Sequence, residues 1–195
     1  TNFIRKIVKP GDTTLDIGAC FGVHTMELAK CVGDKGTVYA FEPQYLNHAL
    51  LKSNIKLNNF SNIKAFNMAL GHKKMTTCIH SAYFEGNENL GDGFISPLME
   101  SAPADVKNKS YIGRIGVKDP LPLNKEVIEC EKLDNIKEIQ NVKFIKIDVQ
   151  GFEKMVLEGG KTLILRDKPV MVIEVESPCL SQFKYSPKDL FDIIR

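Results

Sequence analysis

The stretch Asp16-Ile17-Gly18-Ala19-Cys20-Phe21-Gly22 decides how this chain is read. It closes an apolar run, Thr13-Thr14-Leu15-Asp16-Ile17, that reads as a first strand. It opens a helix over about Val23 to Cys31, with Val23, Met26, Leu28 and Cys31 on its apolar side. Glycines at such a turn let the backbone approach a ligand closely, and the helix start supplies free N–H donors. A turn of this kind serves plain steric ends as often as binding ones, so its details have to choose. A dinucleotide fingerprint calls for glycine at positions 20 and 23. Cysteine and valine stand there instead, and their side chains crowd a pyrophosphate. The acid just before the loop, Asp16, suits the cationic end of a ligand.

Outward from this loop, strand and helix signals alternate at the spacing of βαβ units. Thr37 to Phe41 is a second strand, a helix follows Pro43 to about Asn58, and Asn62 to Met68 is a third strand. Residues 72 to about 125 carry scattered Gly and Pro with weak periodicity and form an irregular insertion or lid, because an ordinary loop of that length is uncommon. Tyr83, Phe84, Phe94 and Tyr111 within it either stack on a ring or pack locally. Val127 to Glu131 alternates as a further strand. Asn141 to Val149 is apolar enough for a central buried strand. A helix over about Phe152 to Leu157 follows, then a buried strand over Pro169 to Val175 and a closing helix from Ser186-Pro187. The architecture is a doubly wound α/β sheet, one domain over residues 1–195, with the insertion between strands three and four.

Five acidic or amide residues, Asp16, Glu42, Asn67, Asp148 and Glu174, fall at or near the carboxyl ends of successive strands. Ligands of open α/β sheets bind in the crevice at that edge. Carboxylates buried in strands without a ligand are costly, so their alignment marks a site. Glu42, 26 residues after Asp16, stands where a carboxylate accepts the hydroxyls of a ribose; the same position also suits an acid at a helix start. Lys146 reads as structural, its neighbours alternating to the other face of the strand, and the four histidines are scattered.

The remaining bounds come from composition. With 195 residues, 43% hydrophobic and 26% charged, the chain is an ordinary globular one, and a net charge of +2 gives no broad footprint for nucleic acid or an anionic membrane. No apolar run approaches the ~20 residues of a spanning helix. The five cysteines are odd in number and unclustered, which argues against a disulfide framework or zinc site and points to reduced thiols in the cytoplasm. No acidic or histidine cluster has metal-ligand spacing, so no metal is expected.

These residues resemble the FkbM-type methyltransferases, a class I S-adenosylmethionine-dependent group. The resemblance rests on Leu15 to Ala19 with Gly22 and Thr25, Ala40-Phe41-Glu42-Pro43, Asn54 with Leu57-Asn58, and Ala69-Leu70-Gly71. It continues through Leu133-Asp134, Lys146-Ile147-Asp148-Val149-Gln150-Gly151-Phe152-Glu153, Val156-Leu157 with Gly159, and Pro169 to Glu174. Two positions depart from it: Cys20 replaces a usual asparagine, and Gln150 stands where glutamate is common. The family fold, a Rossmann-like class I methyltransferase sheet, also continues with two strands that are missing here, which suggests a truncated sequence.

The resemblance implies S-adenosyl-L-methionine as cofactor, held by Asp16, Gly18, Ala19, Cys20, Gly22 and Glu42, with Asn67 and Met68 bordering the adenine and Asp148 near the sulfonium. It implies O-methylation of a hydroxyl on a sugar, glycan or small metabolite, with Asp148, then Glu153, then Glu174 as candidate bases. Enzymes that methylate base amines place a proline pair after the fourth strand; Asp148-Val149-Gln150-Gly151 has none, which disfavours nucleic acid as acceptor. Two other readings stay open at this point, a non-catalytic cofactor-binding subunit and an NAD-dependent oxidoreductase.

Overall fold

The computed structural model describes residues 2–82, 94–95 and 123–194. Its centre is a five-stranded, all-parallel sheet in the order β3-β2-β1-β8-β9. The strands are β1 (Thr13–Ile17), β2 (Thr37–Phe41), β3 (Ile63–Phe66), β8 (Val142–Ile147) and β9 (Val170–Ile173). The chain winds outward from β1 through β2 to β3, then returns to place β8 on the other side of β1. That reversal puts a crevice at the carboxyl ends of β1 and β8, as in other open α/β sheets.

Both faces of the sheet are covered, which is why the inner strands read as near-continuous apolar runs. On one face Leu15, Ile17, Ile145 and Ile147 pack with Val156, Leu157 and Leu163 from helices α4 (Glu153–Gly159) and α5 (Lys161–Asp167), and with Leu190 from α7 (Pro187–Ile194). On the other, Phe144 and Val38 meet Ile4 of α1 (Asn2–Ile7) and Leu28, Ala29 and Val32 of α2 (Val23–Val32). Helix α3 (Tyr45–Leu57) lies against β3. Val23, expected on the buried side of α2, points out at the helix start, and Thr25 and Glu27 take part in the buried face instead.

A second sheet, in the order β4-β7-β5-β6, was not expected. Its strands are β4 (Ala69–Leu70), β5 (Met75–Ala82), β6 (Phe94–Ile95) and β7 (Leu123–Glu131). The third strand therefore ends at Phe66, not Met68. Asn67 turns the chain by donating its side-chain amide to the carbonyls of Glu42 (3.0 Å) and Pro43 (2.9 Å). The two ends of the supposed irregular insertion are paired antiparallel strands; Thr77, Cys78 and Ile79 are buried in succession, so no alternation marks β5. The remaining insertion, with Tyr83, Phe84, Tyr111 and the side chain of Phe94, lies outside the described residues.

Two differences sit at the carboxyl-terminal end. β9, expected to be buried, is an edge strand: Met171 and Ile173 lean on the core while Val170 is 43% exposed. A short helix α6 (Ser177–Gln182) precedes the closing helix, and Leu180 and Cys179 within it are buried.

Candidate active site

The loop after β1 is wedged between the ends of its two neighbours. The N–H groups of Gly18 and Ala19 both donate to the Phe41 carbonyl at 3.0 Å, at the end of β2. Gly18 has φ +80°, and a Cβ on it would stand 1.8 Å from the Asp148 carbonyl oxygen at the end of β8. Only glycine admits both that φ and that approach. Cys20, also left-handed at φ 51°, aims its N–H at Glu42 Oε2 (2.8 Å), while the Gln44 N–H donates to Oε1 (2.9 Å). Glu42 is 5% exposed, and burial pushes its carboxyl up to about 7, with the two N–H bonds opposing the shift. Each oxygen keeps a lone pair for a further donor. Burial likewise raises the Cys20 thiol to about 11, which leaves it a protonated packing group rather than a nucleophile.

Asp16 does not reach the crevice. It lies beneath the loop with no exposed surface, where Thr25 Oγ1 donates to its Oδ2 at 2.6 Å. Its Oδ1 has no hydrogen bond and faces the Lys146 ammonium at 3.4 Å. Lys146 stands directly across from Asp16 in the β1–β8 register, on the sheet face opposite to Ile145 and Ile147. Alternation alone thus brings it into the site, and its structural reading needs amending: the ammonium donates to the Gly18 carbonyl (2.8 Å) and pairs with Asp148 Oδ2 (3.3 Å).

Beyond β8 the chain turns through two left-handed residues, Gln150 (φ 53°) and Gly151 (φ 103°). The Gln150 amide donates to Asp148 Oδ1 (3.2 Å) and to Glu174 Oε2 (3.0 Å), spanning the ends of β8 and β9. The two carboxylates thus lie close together, bridged by one amide. Burial works against ionised Asp148, but Lys146 and these hydrogen bonds outweigh it and hold the carboxyl below its usual range. Partial burial of the carboxyl and the neighbouring Asp148 carboxylate push Glu174 up to about 7. Glu153 points elsewhere: it is 1% exposed, and its Oε1 accepts the N–H groups of Val149 and Gly151, both at 3.1 Å. Its Oε2 has no hydrogen-bond partner, and burial raises this carboxyl too.

The crevice floor thus gathers Gly18, Ala19, Cys20, Glu42, Asp148 and Glu174. Asp16 and Glu153 lie behind it, and Asn67 closes the β2 side while Met68 packs on the core. Thr25 and Lys146 belong to the site though the sequence reading assigned them no role in it. So does α6, whose Cys179 carbonyl would meet a Cβ on Gly151 at 2.4 Å and whose thiol faces the Gln150 amide oxygen.

This donor set fits a sulfonium nucleoside. Carboxylates at Asp148 and Glu174 oppose a cation, the Glu42 oxygens can accept a diol, and the loop carries no side chain at Gly18 to hold a ligand off. Comparison with known proteins agrees. The methyltransferase FkbM domain matches residues 16–195. Among solved structures, the methyltransferase FkbM from Methylobacillus flagellatus KT superposes at a TM-score of 0.54 with 16% identity, covering 93% of this chain and 43% of that one. A SAM-dependent methyltransferase from Aquifex aeolicus superposes at 0.46 with 16% identity, covering 96% of this chain and 71% of that one, too loosely to add to the argument. The first of these shows the fold, and the chain spans less than half of its length. No curated protein matches.

Proposed function

The chain belongs to the methyltransferase FkbM domain family, and from that premise we propose that it is an S-adenosylmethionine-dependent O-methyltransferase acting on a hydroxyl of a sugar, glycan or small metabolite. Family membership removes the reason to read the crevice as a nicotinamide site. The observation that carries the reading is the pair of carboxylates, Asp148 and Glu174, bridged by the Gln150 amide on the crevice floor beside the Gly18 loop.

Gly18, Ala19, Cys20 and Gly22 would hold the cofactor through backbone, Glu42 through its ribose hydroxyls, and Asn67 and Met68 along the adenine. Bound there, S-adenosylmethionine would supply an electrophilic methyl group for the acceptor oxygen, with a neutral thioether as the leaving group. Asp148 supplies the negative charge that steadies the cationic end. Asp16 acts from below, through Lys146 and Thr25, by fixing the loop. An alcohol is a weak nucleophile, and a base that accepts its proton as the bond forms lowers the barrier.

Of the three candidate bases, Glu174 suits the task best. Asp148 is paired with Lys146 and too acidic, and Glu153 is turned toward backbone N–H groups. Glu174, raised to about 7, takes a proton readily near neutral pH and is exposed enough to pass it to solvent. The departure at position 150 suits this arrangement, because a glutamate there would add a third carboxylate to the pair that the Gln150 amide now bridges. No described helix is long and apolar enough to cross a membrane, and no disulfide joins any of the five cysteines, which favours work in the cytoplasm.

The test is transfer of a labelled methyl group from S-adenosylmethionine to a panel of hydroxylated acceptors. Glu174→Gln should lose turnover and keep binding of S-adenosylhomocysteine; full turnover in that variant would remove Glu174 as the base.

A further inference from the structure

Lys146 is the only lysine or arginine buried among the described residues. Its three donors are committed: to the Gly18 carbonyl at 2.8 Å, toward Asp16 Oδ1 at 3.4 Å and toward Asp148 Oδ2 at 3.3 Å. Burial would strip its proton, but the two carboxylates outweigh that and hold the ammonium above its usual range. The ammonium is also placed asymmetrically. It pairs with one of the two bridged carboxylates on the crevice floor, Asp148, and no ion pair joins it to the other, Glu174.

Two carboxylates close enough to be bridged by one amide do not both ionise freely, and a proton taken up by the pair goes to the member with less positive charge beside it. The other groups facing the pair do not reverse this. Glu153 from α4 lies close to both members, Gln150 donates to both, and Cys20, Glu42 and Asp16 act on the Lys146 and Asp148 end. We propose that Lys146 is a positioning residue for methyl transfer: by pairing with Asp148 and not with Glu174 it keeps the first carboxylate anionic and leaves Glu174 as the site that takes the acceptor's proton. The inference rests on the reading of the crevice as a methyl-transfer site. It adds that the division of labour between the two carboxylates is imposed from the strand beneath them.

The test reads the carboxyl groups themselves, in the chain without cofactor, by carbon-13 NMR across a pH titration. In the wild-type chain Asp148 should remain ionised below the ordinary carboxylate range, while the Glu174 signal moves near pH 7. The reverse order, or both groups at ordinary values, overturns the proposal. Lys146→Met should raise the upper titration step by about one pH unit and move the proton toward Asp148, since a cation at this range lowers a carboxyl by roughly 1–3 units. A folded Lys146→Met chain with an unmoved Glu174 step overturns it as well. Should that variant fail to fold, the wild-type titration decides alone. Calorimetry with S-adenosylhomocysteine separates the two levels: binding with a reversed titration order sinks only the role of Lys146, whereas absence of binding sinks the functional reading beneath it.

Discussion

The Glu42 carboxylate accepts the backbone N–H of Cys20 at 2.8 Å, tying the end of β2 to the glycine loop 22 residues earlier in the chain. The side chain proposed to hold the ribose therefore also shapes the loop proposed to hold the rest of the cofactor. Hydrogen bonds to a charged acceptor contribute ~1.5–3 kcal/mol each. Glu42→Ala should weaken S-adenosylhomocysteine binding by roughly tenfold to a hundredfold in calorimetry. An unchanged affinity would place the ribose elsewhere.

The same carboxylate gives the affinity a pH dependence. Burial holds Glu42 near 7 in the free chain, and hydroxyl donors from a ribose favour its ionised form. Binding should be strongest above that value and fall as pH drops through it, by up to about tenfold per unit. Calorimetry between pH 5.5 and about 8.5 checks this, and a flat profile would speak against Glu42 as an acceptor of the ligand.

Gly18→Ala puts a Cβ 1.8 Å from the Asp148 carbonyl at φ +80°. The left-handed conformation costs ~1–2 kcal/mol and overpacking ~1–3 more. The variant should unfold several degrees below the wild type and lose cofactor affinity as the loop leaves β8. Wild-type melting would mean the loop has room that its geometry denies.

Glu153 offers a cleaner separation of structure from chemistry, because both of its backbone donors use Oε1. Glutamine keeps that oxygen and discards a buried charge. The folded-state value of Glu153 is raised, so the stability it gives is complete below the ordinary glutamate range and is lost as pH rises through the raised value. Glu153→Gln should melt at or above the wild type at about pH 8, with the advantage gone near pH 4, and should retain methyl transfer. Loss of turnover with intact folding would restore Glu153 as a base. Glu153→Ala, which strands the Val149 and Gly151 N–H groups, should cost ~1–3 kcal/mol per group.

Much of this site could be read from the chain because its chemistry sits at strand ends, where apolar runs stop at a glycine or an acid: Ile17 into Gly18, Phe41 into Glu42, Ile147 into Asp148. Lys146 could not be read the same way. In a strand covered on both faces no polar side announces itself, and only the register across to Asp16 reveals what the lysine neutralises. The seclusion of Asp16 follows from the same pairing. β5 escaped because three successive residues are buried, and α6 because its work is to pack Cys179 against the Gln150–Gly151 turn, a contact no local period records.

Binding of S-adenosylmethionine in this crevice is tested most directly by calorimetric titration of the chain with S-adenosylhomocysteine, with NAD as control. Saturable binding of the first, on the order of micromolar, and none of the second is the expected result; binding of NAD alone, or of neither, would contradict a methyl-donor site.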